Sequence, residues 1–185
     1  MISPITITTP RLTLRQWQAA DRPLFAAMNA DPKVMEFFPS LLSQEQSNAL
    51  VDRIEGDIEK RGWGLWAVEE LSSDRFIGFV GLDEPTAQLP FSPCVEIGWR
   101  LDHSAWGKGY ASEAAIAALA TGFNEIGLTE IVSFTVVGNF RSEAVMKKIG
   151  MTKSSETFNH PSIPEGHPMQ EHLLYRMTKT EFEQI

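Results

Sequence analysis

The spacing of apolar residues along this chain changes several times, and each change marks an element. From Thr8 to Trp17, Leu12 and Leu14 alternate with Arg11, Thr13 and Arg15, the two-residue period of a strand with one face in the core. Ala19 to Asn29 reads as a short helix. Asp31-Pro32 predicts the start of another, because Asp suits an N-cap and Pro suits the first helical position; Pro39 stops it. Ser43 and Gln46 form a capping-box pair ahead of Leu50, Val51, Ile54 and Ile58. That spacing predicts a helix of about 17 residues ending at Gly62. Leu65 to Glu70 and Phe76 to Leu82 are aromatic-rich apolar runs joined by Ser72-Ser73-Asp74, which predicts a hairpin.

Pro85, Pro90 and Pro93 make the next segment a loop, and Val95 to Leu101 is a third strand. It feeds the segment Trp106-Gly-Lys-Gly-Tyr-Ala-Ser-Glu-Ala114. A helix from Gly109 to Ile126 follows, with Ile116, Leu119, Phe123 and Ile126 at three- and four-residue steps and Gly127 as its stop. Ile131 to Val137 is β-branched enough for a buried parallel strand, and Asn139 suits the cap of a helix through Ile149. Met151 to Phe158 and Leu173 to Thr178 are two more strands, read as an antiparallel closing hairpin around a loop holding Pro161, Pro164 and Pro168. The sum is a mixed α/β (α+β) fold, with a mostly antiparallel central sheet, one βαβ crossover at its centre and flanking helices.

Composition narrows the function. The 185 residues are 43% hydrophobic, enough for one sizeable core, and no linker divides them, so residues 1–185 read as a single domain. Cys94 is the only cysteine, which excludes an intrachain disulfide and a thiolate metal cluster and fits a reducing, cytoplasmic setting. At the start of an apolar strand it reads as a small buried hydrophobe rather than a nucleophile. The formal net charge of −8 argues against nucleic acid as a partner. The same charge either attracts cationic substrates or simply keeps the domain soluble. Met1 to Leu14 has no signal-peptide pattern, and no apolar run approaches the roughly 20 residues needed to cross a bilayer, so neither secretion nor a membrane partner is expected.

The candidate chemistry starts at Gly107, Lys108 and Gly109. The first turn of a helix leaves backbone N–H groups without intrahelical acceptors, and the aligned peptide dipoles add partial positive charge there. Glycines at 107 and 109 let the backbone approach an anion without a Cβ in the way, so the segment reads as a phosphate cradle. A dinucleotide-binding dehydrogenase is excluded on detail: Ser112 stands where GxGxxG needs its third glycine, and no acidic residue ends the next strand. A P-loop nucleotidase is excluded because Lys108 is followed by Gly.

Three segments together carry a family resemblance: Trp106 to Ala114, the run Asn139-Phe-Arg-Ser-Glu-Ala-Val-Met-Lys-Lys-Ile-Gly-Met151, and the opening Thr9-Pro-Arg-Leu-Thr-Leu-Arg15. The tail pieces Glu165-Gly-His-Pro and His172-Leu-Leu-Tyr175 add a weaker match. In this the chain resembles the GNAT superfamily of acetyl-CoA-dependent N-acetyltransferases, most of all its RimJ/RimL-like branch. The resemblance implies that acetyl-CoA is the cosubstrate and lies between two splayed strands, Val95 to Leu101 (with Trp99 and Leu101) and Ile131 to Val137. It implies that Trp106, Gly107, Lys108, Gly109, Tyr110, Ala111 and Ser112 form the pyrophosphate loop, and that Asn139 and Ser142 face the pantetheine and thioester. It implies direct transfer in a ternary complex to a primary amine, on a small molecule or a protein N-terminus. No metal is implied, and a homodimer is the default assembly.

Many family members carry a Tyr acid on the second cofactor helix, but this chain has Met146 there, which donates no proton. Ser142 is the nearest replacement, and a noncatalytic acyl-CoA-binding module is the second reading that Met146 raises. Glu96, alternating with Val95 and Ile97 just before the loop, is the candidate base; its bland reading is a solvated carboxylate or a salt bridge to Arg100. His160, His167 and His172 lack metal-ligand spacing and read as part of the acceptor pocket. Phe37, Phe38, Trp63 and Trp66 are either an acceptor wall or core, and Lys147 and Lys148 either reach phosphates or balance their helix dipole.

Overall fold

The computed structural model describes residues 3–184. Eight strands form one sheet in the order β1-β2-β3-β4-β5-β6-β8-β7: β1 (Ile7–Thr8), β2 (Leu12–Arg15), β3 (Leu65–Glu70), β4 (Arg75–Asp83), β5 (Glu96–Leu101), β6 (Glu130–Val136), β7 (Thr152–Asn159) and β8 (Glu171–Thr178). Every pairing is antiparallel except β5 with β6. The helices are α1 (Asp21–Asn29), α2 (Gln44–Arg61), α3 (Tyr110–Thr121), α4 (Phe140–Lys148) and a terminal turn, α5 (Lys179–Phe182).

Local signals account for most of these elements. Ser43 and Gln46 make the reciprocal capping box that starts α2, whose buried face is Ser47, Val51, Ile54 and Ile58. Asn139 caps α4 through its side-chain oxygen, which accepts from Ser142 N–H at 3.2 Å. Leu12 and Leu14 are fully buried, as their alternation requires.

Four expectations fail for physical reasons. The opening strand is two strands: the chain reverses at Thr9-Pro10, where Thr9 Oγ1 accepts from Leu12 N–H at 3.0 Å and Pro10 has no donor to continue a ladder. No helix starts at Asp31. Its carboxylate instead accepts from Lys33 N–H at 2.8 Å, and the segment to Phe38 is a chain of turns. Ile116 is 46% exposed; the buried face of α3 is built from Leu119 and from Ala114, Ala115 and Ala118, whose small side chains let the helix lie close to the sheet. The regular α-helix also ends at Thr121, and one wide turn, Gly122–Ile126, carries the chain to Gly127.

These elements converge on β5. Helix α3 packs over β2, β4 and β5, α4 packs on β6 and α3, and α1 reaches β4 through an edge-to-face contact of Phe25 with Phe79. Within β5, Ile97 and Leu101 point into the core, which places Glu96, Gly98 and Arg100 together on the opposite face.

Candidate active site

Strands β5 and β6 touch only at their beginnings. Their pairing is a single register pair, Glu96 with Val132, supported by Val132 N–H to Val95 carbonyl at 2.9 Å. Ser133 Oγ then donates to the Ile97 carbonyl at 2.9 Å, and beyond it the strands separate. Alternation along β5 aims the backbone groups of Trp99 and the N–H of Leu101 into this gap, while the Leu101 carbonyl accepts from Trp106 Nε1 at 2.9 Å. A cavity of about 740 Å³ fills the gap and extends over the Glu96 face of β5.

The glycine loop closes one end. Gly107 and Gly109 have φ of 73° and 80°, the left-handed region, and a Cβ on Gly107 would meet nothing within 4 Å. Helix α3 starts at Tyr110 without any side-chain cap, so its first amides stay open for a ligand. Glu113, the acidic residue of that turn, is neutralised by Arg11 at 2.6 Å and also accepts from Thr9. Arg11 Nη2 and Lys148 Nζ lie 3.6 and 3.8 Å from the position a Cβ on Gly109 would take. Lys148, the guanidinium of the Arg11–Glu113 pair and an uncapped helix N-terminus thus surround a loop with no side chain in the way, which fits a pyrophosphate.

At the other end Glu96 lines the cavity, its Oε1 3.8 Å from where a Cβ on Gly98 would stand. Burial pushes its carboxyl up to about 8, and the charge of Asp83, its register partner on β4, adds to the shift. Asp83 itself is held by Arg53 at 3.2 Å and Arg61 at 3.5 Å. Phe37, Phe38, Phe134, His160 and His172 complete the wall. Burial lowers both histidines, so each favours the neutral ring.

A model of the acetyltransferase (GNAT) domain matches residues 11–152. The chain belongs to the GNAT acetyltransferase family. It is 31% identical to an uncharacterized N-acetyltransferase, YnaD, of Bacillus subtilis (strain 168), across 95% of this chain and 98% of that one. A GNAT-family acetyltransferase from Bacillus anthracis superposes with a TM-score of 0.79 at 26% identity, covering 95% of this chain and 99% of the other. RimL, a ribosomal L7/L12 alpha-N-protein acetyltransferase solved with coenzyme A, shares the fold at 19% identity and a TM-score of 0.74, over 94% and 98% of the two chains.

Within this GNAT fold the anticipated site residues divide. Glu96, Trp99, Leu101, Trp106, Gly107, Gly109, Tyr110, Ala111, Ser112, Asn139 and Ser142 all line the one cavity. Lys108 does not: its side chain is exposed and its ammonium lies 5.7 Å from the Tyr110 ring. Asn139 is committed to the fold, since its Nδ2 also donates to Thr135 Oγ1 at 2.9 Å and to Ser142 Oγ at 3.2 Å. Met146 is buried in the cavity wall. The chain's two tyrosines are occupied elsewhere, Tyr110 hydroxyl with Glu70 and Tyr175 with Glu143. Arg100 has no ion pair with Glu96 among the described residues; its Nη1 donates to Asn29 Oδ1 at 2.7 Å.

The aromatic and basic side chains divide in the same way. Phe37 and Phe38 line the cavity, whereas Trp63 and Trp66 belong to the core. His160 and His172 line it and His167 does not. Lys147 is drawn to Glu143 at 3.1 Å, leaving Lys148 beside the loop. Cys94 lies outside the cavity, and burial together with the Glu96 charge raises its thiol away from the thiolate a nucleophile needs. Sequence reasoning missed Asp83 and the part Arg11 plays at the loop. The signal for Arg11 was its place in the opening motif; Asp83 carried none, because only strand pairing brings it beside Glu96. Among the described residues no cluster of three or more His, Cys, Asp or Glu is placed to hold a metal, and no helix is long and apolar enough to cross a membrane.

Proposed function

We propose that this GNAT enzyme moves the acetyl group of acetyl-CoA to a primary amine by direct attack in a ternary complex, with Glu96 as general base. The observation that carries the reading is a carboxyl held near 8 in the wall of the cavity that the splayed strands and the glycine loop define. Acetyl-CoA supplies a thioester already activated toward amines. The amides of residues 110–112, with Arg11 and Lys148, hold its pyrophosphate, and the free backbone groups of β5 from Trp99 onward pair with the pantetheine amides. Ser112, a buried residue of the cavity wall, adds its hydroxyl as a donor to the loop.

An ammonium group cannot attack a carbonyl, so the acceptor must lose a proton in the site. Glu96 takes it, directly or through a water, and its raised pKa makes it a stronger base than an ordinary carboxylate. The transfer forms the new C–N bond and breaks the C–S bond, and the departing thiolate is protonated. Ser142 is the hydroxyl on α4 that lines the cavity, and it is held in place by Asn139. It therefore supplies or relays that proton in place of the Tyr that Met146 replaces. The protein works in the cytoplasm without a metal, and no nucleic acid or membrane takes part.

The test is thiol release from acetyl-CoA across a panel of amino acids, peptide N-termini, polyamines and aminoglycosides, repeated with Glu96→Gln. Turnover with at least one amine, and its loss in the variant, is the expected result. Coenzyme A binding without turnover on any amine would instead favour the noncatalytic binding module.

A further inference from the structure

Four basic side chains line the cavity, and three have an evident task. Arg53 pairs with Asp83 at 3.2 Å and Asp57 at 3.3 Å, Arg141 pairs with Glu36, and Lys148 stands over the glycine loop. Arg100 is different. Its one recorded partner is neutral, the Asn29 side-chain oxygen at 2.7 Å, and that amide is fixed in orientation because its Nδ2 donates to Ser47 Oγ at 3.1 Å. No carboxylate lies within ion-pair distance of Arg100 among the described residues, and its Nε is a buried donor without an acceptor. The Phe38 and Phe79 rings lie over the guanidinium at 4.1 and 5.5 Å, so two of its neighbours are apolar faces rather than charged groups. Burial lowers the guanidinium to about 10, which still leaves it charged at neutral pH.

A buried cation that the fold leaves without a counter-charge is unfavourable unless something else provides one. Its position says what. Glu96, Gly98 and Arg100 occupy one face of β5, and Gly98 leaves the floor between the two charged residues free of any side chain. Four residues of strand span about 13 Å between the Cα atoms, so base and cation mark the two ends of the acceptor floor.

We propose that the acceptor is an amine that also carries a carboxylate, an amino acid or a close analogue, with the amine toward Glu96 and the carboxylate on Arg100. The assignment rests on the acetyl-transfer reading above and adds to it the class of acceptor. A guanidinium is suited to this task because its planar donors match a carboxylate two at a time. The phenyl rings around it fix its plane, and the neutral Asn29 partner leaves the charge available. A polyamine, which places a second cation on that floor, would meet Arg100 as a like charge.

The experiment measures kcat/KM by thiol release for free amino acids, for the same amino acids as primary amides, and for spermidine, in the unmodified protein and in Arg100→Met and Arg100→Lys. The proposal expects the free acids to exceed their amides by tenfold or more. In Arg100→Met that ratio falls to near one, mainly through KM, and Arg100→Lys recovers part of it. A preference for amides or spermidine in the unmodified protein, or a ratio unchanged in Arg100→Met, overturns it. Calorimetry with coenzyme A and a thermal melt establish that each variant is folded and binds cofactor. If no amine releases thiol, the acetyl-transfer reading has failed, and the carboxylate site is still decided by thermal shift. Amino acids must then raise the melting temperature of the unmodified protein and not of Arg100→Met, and the absence of that difference overturns the proposal as well.

Discussion

Replacing Glu96 by Gln removes the proposed base while keeping its size, and the structure sets what should follow. With a carboxyl near 8, only about one site in ten is ionised at pH 7, since each pH unit is a factor of ten. The logarithm of kcat/KM should therefore climb with slope near one from pH 6 and level off above about 8. Glu96→Gln should lose about 10²- to 10⁴-fold at the plateau, the usual worth of a positioned base, and flatten the rising limb. Stability should move the other way. A carboxyl that ionises near 4.5 unfolded but near 8 folded keeps its proton only in the folded state between those values. The folded protein consequently loses stability as pH rises through that window. Full conversion of the shift would be roughly 5 kcal/mol, and water contact at the cavity reduces it to roughly 1–3 kcal/mol. Urea titrations at pH 5 and pH 8.5 should thus find Glu96→Gln more stable than the parent at the higher pH and nearly equal at the lower. A variant with undiminished turnover, or a parent whose rate is flat from pH 6 to 9, would refute the argument.

Other substitutions test neighbouring parts of the site. Asp83→Asn removes the charge that helps raise Glu96, so the rising limb should shift to lower pH, measured in the same rate profile. Ser142→Ala should lower kcat about 10- to 100-fold with little change in coenzyme A affinity by calorimetry, if the hydroxyl serves the departing thiolate. Gly109→Ala forces a Cβ onto a left-handed backbone, costing roughly 1–2 kcal/mol, and crowds the loop beside Arg11 and Lys148. A lower melting temperature together with weaker coenzyme A binding is expected. Glu143 is buried and accepts from Tyr175 at 2.8 Å and Lys153 at 3.0 Å, contacts that pull its carboxyl down to about 2. Glu143→Gln should cost roughly 1–3 kcal/mol at pH 7, and the gap to the parent should close as pH falls from about 4.5 toward 2.

Much of the fold could be read from short-range patterns because short-range physics produces it. The capping box at Ser43 and Gln46, the Asn139 cap, the alternation of Leu12 with Leu14 and the glycines of the loop each act within a few residues. Readings failed where a competing local bond or a distant contact won. The carboxylate of Asp31 turned back on its own backbone two residues on, and α3 buried its alanines because the sheet lies close beneath it, leaving Ile116 outside. The loop at Gly107 to Ser112 was visible for the same local reason, as was the family resemblance that joined it to Asn139 and Ser142.

The sequence by itself therefore determined most of the order of elements, the glycine loop that opens α3 and the acetyltransferase family. Tertiary structure alone decided how Glu96 and Arg100 are set. Strand pairing brings Asp83 beside Glu96, and the splay of β5 from β6 opens the cavity that both line. Packing of Phe38, Phe79 and Asn29 around Arg100 leaves a cation without a counter-charge among the described residues. Burial and the field of neighbouring charges set a side chain's chemistry, and both arise only when segments far apart in the chain are packed together.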